Sequence, residues 1–221
     1  MIRWLKVVVF LACLEPLARL LWKFFGPRPT DMQSWGVGLG ANPIEFITHS
    51  TGDWTLIFLL ITLTITPLRK LSRLTWLIRY RRMLGLFAFF YGTLHLTTYV
   101  WLDKFFDVHA MFTDVAKRRF ITAGLTGYLL MLPLALTSTS WSIRKLGGKR
   151  WQLLHRLIYF SAMAGVIHYI WLVKADLHKP LEYAFVLSLL LGYRVVAWLK
   201  PKSQPKKPAP VAVRDVEASQ G

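Results

Sequence analysis

The 221 residues are 54% hydrophobic, and the charges among them are unbalanced, with 28 Lys and Arg against 11 Asp and Glu for a net charge of +17. This apolar content, the mean hydropathy of +0.40 and the ten tryptophans exclude an ordinary soluble domain of this length, so the bilayer is the expected solvent. The lone cysteine, Cys13, excludes an internal disulfide or a cysteine-held cluster.

A hydrocarbon core about 30 Å thick needs roughly 20 apolar residues in a helix. Six runs meet that need, at 4–25, 54–71, 83–102, 120–137, 151–173 and 181–199. None shows the period-2 alternation of barrel strands, and only helices or closed barrels satisfy backbone polar groups in lipid. The expected fold is all-α, a polytopic bundle of six transmembrane helices in one domain over 1–200.

The first run follows Arg3 and Lys6 as a secretion signal would, but no small-x-small cleavage site comes after "VVVFLACL" and the apolar character continues past Pro16 to Phe25. It is expected to remain as the first helix. Glu15 and Arg19, four apart, suit an intramembrane pair or a proton route, whereas outward snorkelling of Arg19 and Lys23 is the preferred reading. Before the second run, residues 42–52, with Glu45 and His49, suit a short interfacial helix on the outer side that helps to bind quinone or a partner; the alternative is that Asn42 and Pro43 merely cap that segment. The third run lies within "RRMLGLFAFFYGTLHLTTYVWL" and carries His95. The fourth has Gly124, Gly127 and Pro133 with no titratable side chain, which close packing explains. The fifth contains "LHRLIYFSAMAGVIHYIW", with His155 and His168. The proline- and lysine-rich residues 201–221 read as a disordered cytoplasmic tail.

Positive charge sets the orientation. Arg69, Lys70, Arg73, Arg79, Arg81 and Arg82 fill the link between spans two and three, Arg144, Lys145, Lys149 and Arg150 the next link on that side, and Lys200, Lys202, Lys206 and Lys207 begin the tail. That side is expected to be cytoplasmic, with both termini there. Asp31, Glu45, Asp53, Asp103, Asp107, Asp114, Asp176 and Glu182 fall on the opposite side. The net charge therefore reports topology and affinity for anionic headgroups, not nucleic-acid binding.

Of six histidines, His49, His109 and His178 fall in outward-facing links and read as solvated residues. His95, His155 and His168 lie within spans, where an ionisable residue is a functional hypothesis by default. Neutral imidazole is a usual axial ligand of haem iron, and the core of a helical bundle is where a porphyrin fits. The chain has no C-x-x-C-H run for covalent attachment. At 1.5 Å per residue His95 stands about 20 Å above Arg82, His168 about 27 Å above Arg150 and His155 about 7 Å above Arg150. His95 and His168 are thus the nearer pair in height, expected to clamp one haem in the outer half of the membrane. A second, inner haem would take His155 as one ligand, with Arg81, Arg82 or Arg156 near its iron or its propionates, since arginine is a poor iron ligand and a good partner for carboxylates. The alternative is that these arginines mark the cytoplasmic edge. His155 and His168, 13 apart, are turned about 140° from each other on an ideal helix, so either the two sites lie on different sides of that helix or a bulge near 161–165 restores the face.

Taken together, "RRMLGLFAFFYGTLH", "LHRLIYFSAMAGVIHYIW" and "GANPIEFITHSTGDWTL" resemble the ferric reductase-like transmembrane family, which includes ferric reductases and NADPH oxidases, and within it the haem-binding membrane subunits of periplasmic methionine sulfoxide reductase systems. The resemblance covers about residues 1–200. It implies two histidines on each of spans three and five holding two b haems; here His155 and His168 match, His95 matches, and Arg81 takes the inner position on span three. His109, 14 residues after His95, follows Asp103, Lys104 and Asp107 and would lie beyond the bilayer.

The resemblance implies a respiratory-chain electron carrier with one or two b haems, not itself the catalytic subunit. It would draw on quinol or a cytoplasmic flavin and feed a periplasmic molybdopterin-containing methionine sulfoxide reductase as a heterodimer. It also implies FMN, for which the sequence offers no residue-level signature. Methionine sulfoxide is a reversible lesion of oxidised envelope proteins. The rival expectations are a small transporter or a proton or metal channel using the intramembrane histidines, and a structural assembly factor.

Overall fold

The computed structural model describes residues 2–25, 42–173 and 176–199. Among these residues every regular element is helical; the basic tail over 201–221, Asp31 and the lysines from Lys200 onward lie outside the described residues.

The first helix, α1 (Ile2–Phe25), follows its apolar run closely. The second, α2 (Pro43–Ser72), starts eleven residues before the expected 54. Asn42 caps it, its side-chain oxygen accepting from the Glu45 backbone N–H at 3.2 Å, and Pro43 occupies the first turn, where its missing N–H costs nothing. The separate interfacial helix expected over 42–52 is therefore the first three turns of α2. No helix break intervenes, so Glu45, His49 and Asp53, four apart, run down one side of a membrane helix.

After a 3₁₀ turn at Thr75–Leu77, α3 (Ile78–Thr97) begins five residues earlier than the apolar run, because the arginines of its first turns are good helix formers. It continues as a π-helical turn over Thr98–Asp103. Phe105 and Phe106, at φ 48° and 63°, then turn the chain into α4 (Val108–Lys117), capped by Asp107. This surface helix breaks no apolar pattern and was not expected from the sequence.

Next come α5 (Arg119–Leu136), α6 (Ser140–Leu146), α7 (Gly148–Leu154), α8 (Leu157–Leu172) and α9 (His178–Leu199). The expected single helix over 151–173 is thus two, α7 and α8. The interruption falls at His155 and Arg156, where i→i+3 hydrogen bonds from Arg156 to Leu153 and from Tyr159 to Arg156 tighten the chain. Residues 161–165 are regular α-helix, so the bulge considered there is not present, and the interruption falls at His155 and Arg156 instead.

Among the described residues five stretches are long and apolar enough to cross a membrane: Pro43–Ser72, Thr75–Asp103, Arg119–Leu136, Gly148–Leu172 and His178–Leu199. The expected count was six. At 24 residues α1 is long enough, but Arg3, Lys6, Glu15, Arg19 and Lys23 leave it too charged to qualify by composition. The chain is a polytopic helical membrane protein.

Helix α2 packs along α3, and α5 along α8, as the two closest pairs; α9 lies against α8 and α2, and α1 against α3. Glycines allow the close approaches. A Cβ at Gly127 would sit 3.4 Å from the Ala164 Cβ and the Ser161 carbonyl, and one at Gly165 would strike Leu56 at 2.8 Å. Ser161 in turn donates to the Gly127 carbonyl across the α5–α8 contact. Among the described residues the carboxylates other than Glu15 gather at one end of the bundle and the Arg/Lys links lie at the other. Between residues 54 and 102, and again between 115 and 175, there is no Asp or Glu at all.

Candidate functional site

Two cavities lie between the α2–α3 and α5–α8 pairs. The one toward the acidic end, about 270 Å³, is lined by His95 and His168 together with Gly52, Gly92, Gly124 and Tyr128. The one toward the basic end, about 490 Å³, is lined by Arg81, Arg82, His155, Arg156, Tyr159 and Trp151 among others. Met131 of α5 borders both, so the two cavities meet across one buried thioether. The two histidines nearest in height are thus brought together, and the four candidate residues of the inner group share the other cavity.

The three intramembrane histidines are held alike. The Nδ1–H of His95 donates to the Thr48 carbonyl at 2.9 Å, that of His168 to the Phe120 carbonyl at 2.6 Å, and that of His155 to the Trp151 carbonyl at 3.0 Å. A carbonyl only accepts, so the proton sits on Nδ1 and Nε2 is left for another partner, the arrangement usual for a metal-bound imidazole. The early start of α2 matters here, because Thr48 lies in the part of α2 that precedes its apolar run.

The His95 and His168 ring centroids are 6.0 Å apart and their planes are 78° to each other. Two metal–imidazole bonds of about 2 Å each, plus about 1.1 Å from each nitrogen to its ring centre, add to about 6 Å. The spacing therefore suits one metal between the rings. Glycines make the seats: a Cβ at Gly52 would meet His95 Cε1 at 3.1 Å, and one at Gly124 would meet His168 Nδ1 at 2.7 Å. In the other cavity His155 stacks on Trp151 at 3.8 Å between centroids, and its buried Nε2 has no hydrogen-bond partner among the described residues. An orphaned buried nitrogen facing a cavity with three arginines and no carboxylate from the flanking segments fits a metal-bearing, anionic ligand.

His109 and His178 are exposed, as expected, and His178 pairs with Glu182 at 3.2 Å. His49 is exposed too, but it stands in α2 rather than in a link and also lines the acidic-end cavity, with Asp53, Asp103, Arg118 and Tyr169. The sequence signal for His49 and Asp53 was the spacing of four from Glu45 to His49 and from His49 to Asp53, which only counts once α2 is known to begin at Pro43. At the rim of this cavity Asp114 of α4 accepts from Lys104 at 2.7 Å and from Arg118 at 3.2 Å, with the Tyr99 hydroxyl at 3.2 Å. The hydrogen bond from Lys104 holds the Asp114 carboxyl below the usual carboxylate range, and the same bond raises the Lys104 ammonium above its own. Among the described residues no group of three or more His, Cys, Asp and Glu side chains comes together as a bare-ion site.

The fold is that of a ferric reductase-like membrane component: the family model described as ferric reductase like transmembrane component matches residues 51–166, which take in His95 and His155. The chain is 52% identical over 199 residues to the protein-methionine-sulfoxide reductase heme-binding subunit MsrQ of Herminiimonas arsenicoxydans, covering 89% of this chain and 87% of that one. It is 57% identical to the MsrQ of Azospira oryzae over 184 residues, 82% of this chain and 79% of the relative. With the MsrQ of Rhodospirillum rubrum it shares 48% over 204 residues, 92% and 93% of the two chains. The chain belongs to the MsrQ family. No solved structure matches it.

Proposed function

We propose that this chain is a b-type haem electron-transfer subunit of the bacterial inner membrane. It takes electrons from the quinone pool or from a cytoplasmic flavin, FMN included, and passes them to a periplasmic molybdopterin-containing methionine sulfoxide reductase. The observation that carries this reading is the shared arrangement of the three histidines, each fixed at Nδ1 by a backbone carbonyl with Nε2 left over, in two cavities that meet at Met131.

In this reading the chain crosses the membrane six times with both termini cytoplasmic, the basic links inside. Contacts support the sixth span: Lys23 lies over the Phe46 ring at the acidic end, so α1 runs the length of the bundle. His95 and His168 would hold one haem, and His155 would hold a second whose propionates Arg81, Arg82 and Arg156 would pair with. A bound haem supplies one-electron carriage, and the protein holds and tunes it. The fixed Nδ1 bonds keep each ring in one tautomer and orientation, and Leu, Phe and Met side chains contribute to the lining of both cavities.

The test is a dithionite-reduced minus oxidised spectrum of the purified, detergent-solubilised protein with a pyridine haemochrome count. A b-type spectrum with one or two haems per chain is expected, followed by reoxidation when the catalytic subunit and methionine sulfoxide are added. A colourless protein, even after haem is supplied, overturns the reading and favours the transporter.

A further inference from the structure

Helix α1 touches the bundle along one side only. Phe10 packs on Phe87 with centroids 5.2 Å apart, and the Tyr91 hydroxyl accepts from the Leu17 N–H at 3.2 Å and donates to the Cys13 carbonyl at 2.9 Å. These contacts set α1 parallel to α3, with Cys13 and Leu17 beside Tyr91, near the middle of the Thr75–Asp103 span. Glu15 therefore sits at mid-depth. Its carboxylate pairs with the Arg19 guanidinium, and both turn away from the bundle, the side chains 42% and 78% exposed. Ionisable side chains at such depth almost always face protein or a water-filled cavity, yet nothing in the described residues covers this pair.

A second observation concerns the same surface. Trp4, Val8, Leu11, Glu15, Ala18 and Trp22 are spaced by four and three residues alternately, the period of a coiled-coil seam. Trp4, Val8, Leu11 and Trp22 are each more than half exposed, whereas Cys13 and Pro16, toward α3, are buried. A seam that is apolar except for one central polar residue is the pattern that fixes register between paired helices. The charges are also self-complementary. In a two-fold pair of parallel helices any contact between Glu15 and Arg19 across the seam occurs twice, reciprocally.

We propose that this face of α1 is an intramembrane dimer seam whose occupant is α1 of a second copy of the chain, Glu15 of each copy meeting Arg19 of the other. The partner then covers the ion pair that the single copy leaves facing lipid. The proposal rests on α1 crossing the membrane, as in the six-span reading above, and is independent of the haem ligands.

Disulfide trapping of the full-length protein in native membranes tests it. On a Cys13→Ala background, Ala18→Cys lies on the seam and Leu21→Cys, which is 47% exposed, lies off it. Mild oxidation is expected to yield a species of twice the chain mass from Ala18→Cys and not from Leu21→Cys. Adding Glu15→Ala should reduce that yield roughly 3- to 30-fold, the range for one interhelical polar contact in a membrane. Equal trapping at both positions, no trapping at Ala18→Cys, or a product whose mass fits a different protein would each overturn the proposal. Labelling of Lys6→Cys and Lys23→Cys with an impermeant maleimide from each side tests the span separately. Opposite sidedness is expected, and same-side labelling would overturn the six-span reading on which the seam depends.

Discussion

Gly124→Ala is the sharpest perturbation of the paired-histidine site. The new Cβ would lie 2.7 Å from His168 Nδ1, 3.0 Å from Cε1 and 3.2 Å from Cγ, against the 3.4 Å at which ordinary contact begins. Either the ring or the helix has to move by about 0.7 Å at the closest atom. The ring cannot turn freely, because Nδ1 is tied at 2.6 Å to the Phe120 carbonyl, one turn earlier on the same helix. The displacement therefore passes to Nε2 and spoils the 6.0 Å approach to His95. Overpacking of this kind costs about 1–3 kcal/mol, or roughly 5- to 150-fold in affinity for whatever the two rings hold. Gly→Ala also favours the helix by about 0.5–1 kcal/mol, so the comparison is with Gly127→Ala, where the new Cβ meets nothing closer than 3.4 Å. The assay is the haem-to-protein ratio and the reduced spectrum of both variants at equal yield. Gly124→Ala is expected to lose haem from the paired site and Gly127→Ala to keep it. Full occupancy with an unchanged spectrum in Gly124→Ala would refute the argument that Gly124 seats an iron ligand.

His95→Ala and His168→Ala should each remove one haem, and His155→Ala should spare that haem while lowering any count above one; three variants with full haem complements would show the ligand assignment to be wrong. Tyr91→Phe removes the hydroxyl that bridges Cys13 and Leu17 beside Pro16. It should lower thermal stability by about 1 kcal/mol per lost hydrogen bond and expose α1 to protease, and an unchanged unfolding midpoint would mean that the α1 ladder closes unaided. The Asp114–Lys104 pair sets a pH window for the attachment of α4. The depressed Asp114 pKa contributes stability above its ordinary value of 3.8 that is lost as pH falls through the folded value. The raised Lys104 pKa contributes stability below 10.5 that is lost as pH rises through its folded value. Hydrogen exchange of α4 should accordingly be slowest between those limits, and Asp114→Asn should flatten the profile. A profile unaffected by that substitution would remove Asp114 from the latch.

Hydrophobic run length determined the positions of most spans, because a helix in lipid has to satisfy its own backbone and exclude charge over a fixed thickness. It fixed α5 to within one residue at each end. The depth argument paired His95 with His168 correctly as neighbours in space, since rise per residue is a local property that needs no knowledge of packing. Boundaries set by something other than hydropathy were legible only in part: the Asn42–Pro43 cap and a helix over 42–52 were read from sequence, but not its continuity with the second span. The cap at Asn42 carried α2 three turns past its apolar run, and those turns supply Thr48, which fixes His95, and His49 and Asp53, which line the cavity. The break at His155 is a matter of a few hydrogen bonds, too small to leave a mark in composition, yet it divides the expected single helix in two. Sequence alone could name the glycines, but which of them meet a helix and which seat an imidazole depends on residues from another helix. Only the tertiary structure brings Gly52 to His95 and Gly124 to His168, because those contacts join positions 43 and 44 residues apart along the chain and are set by helix packing rather than by local propensity.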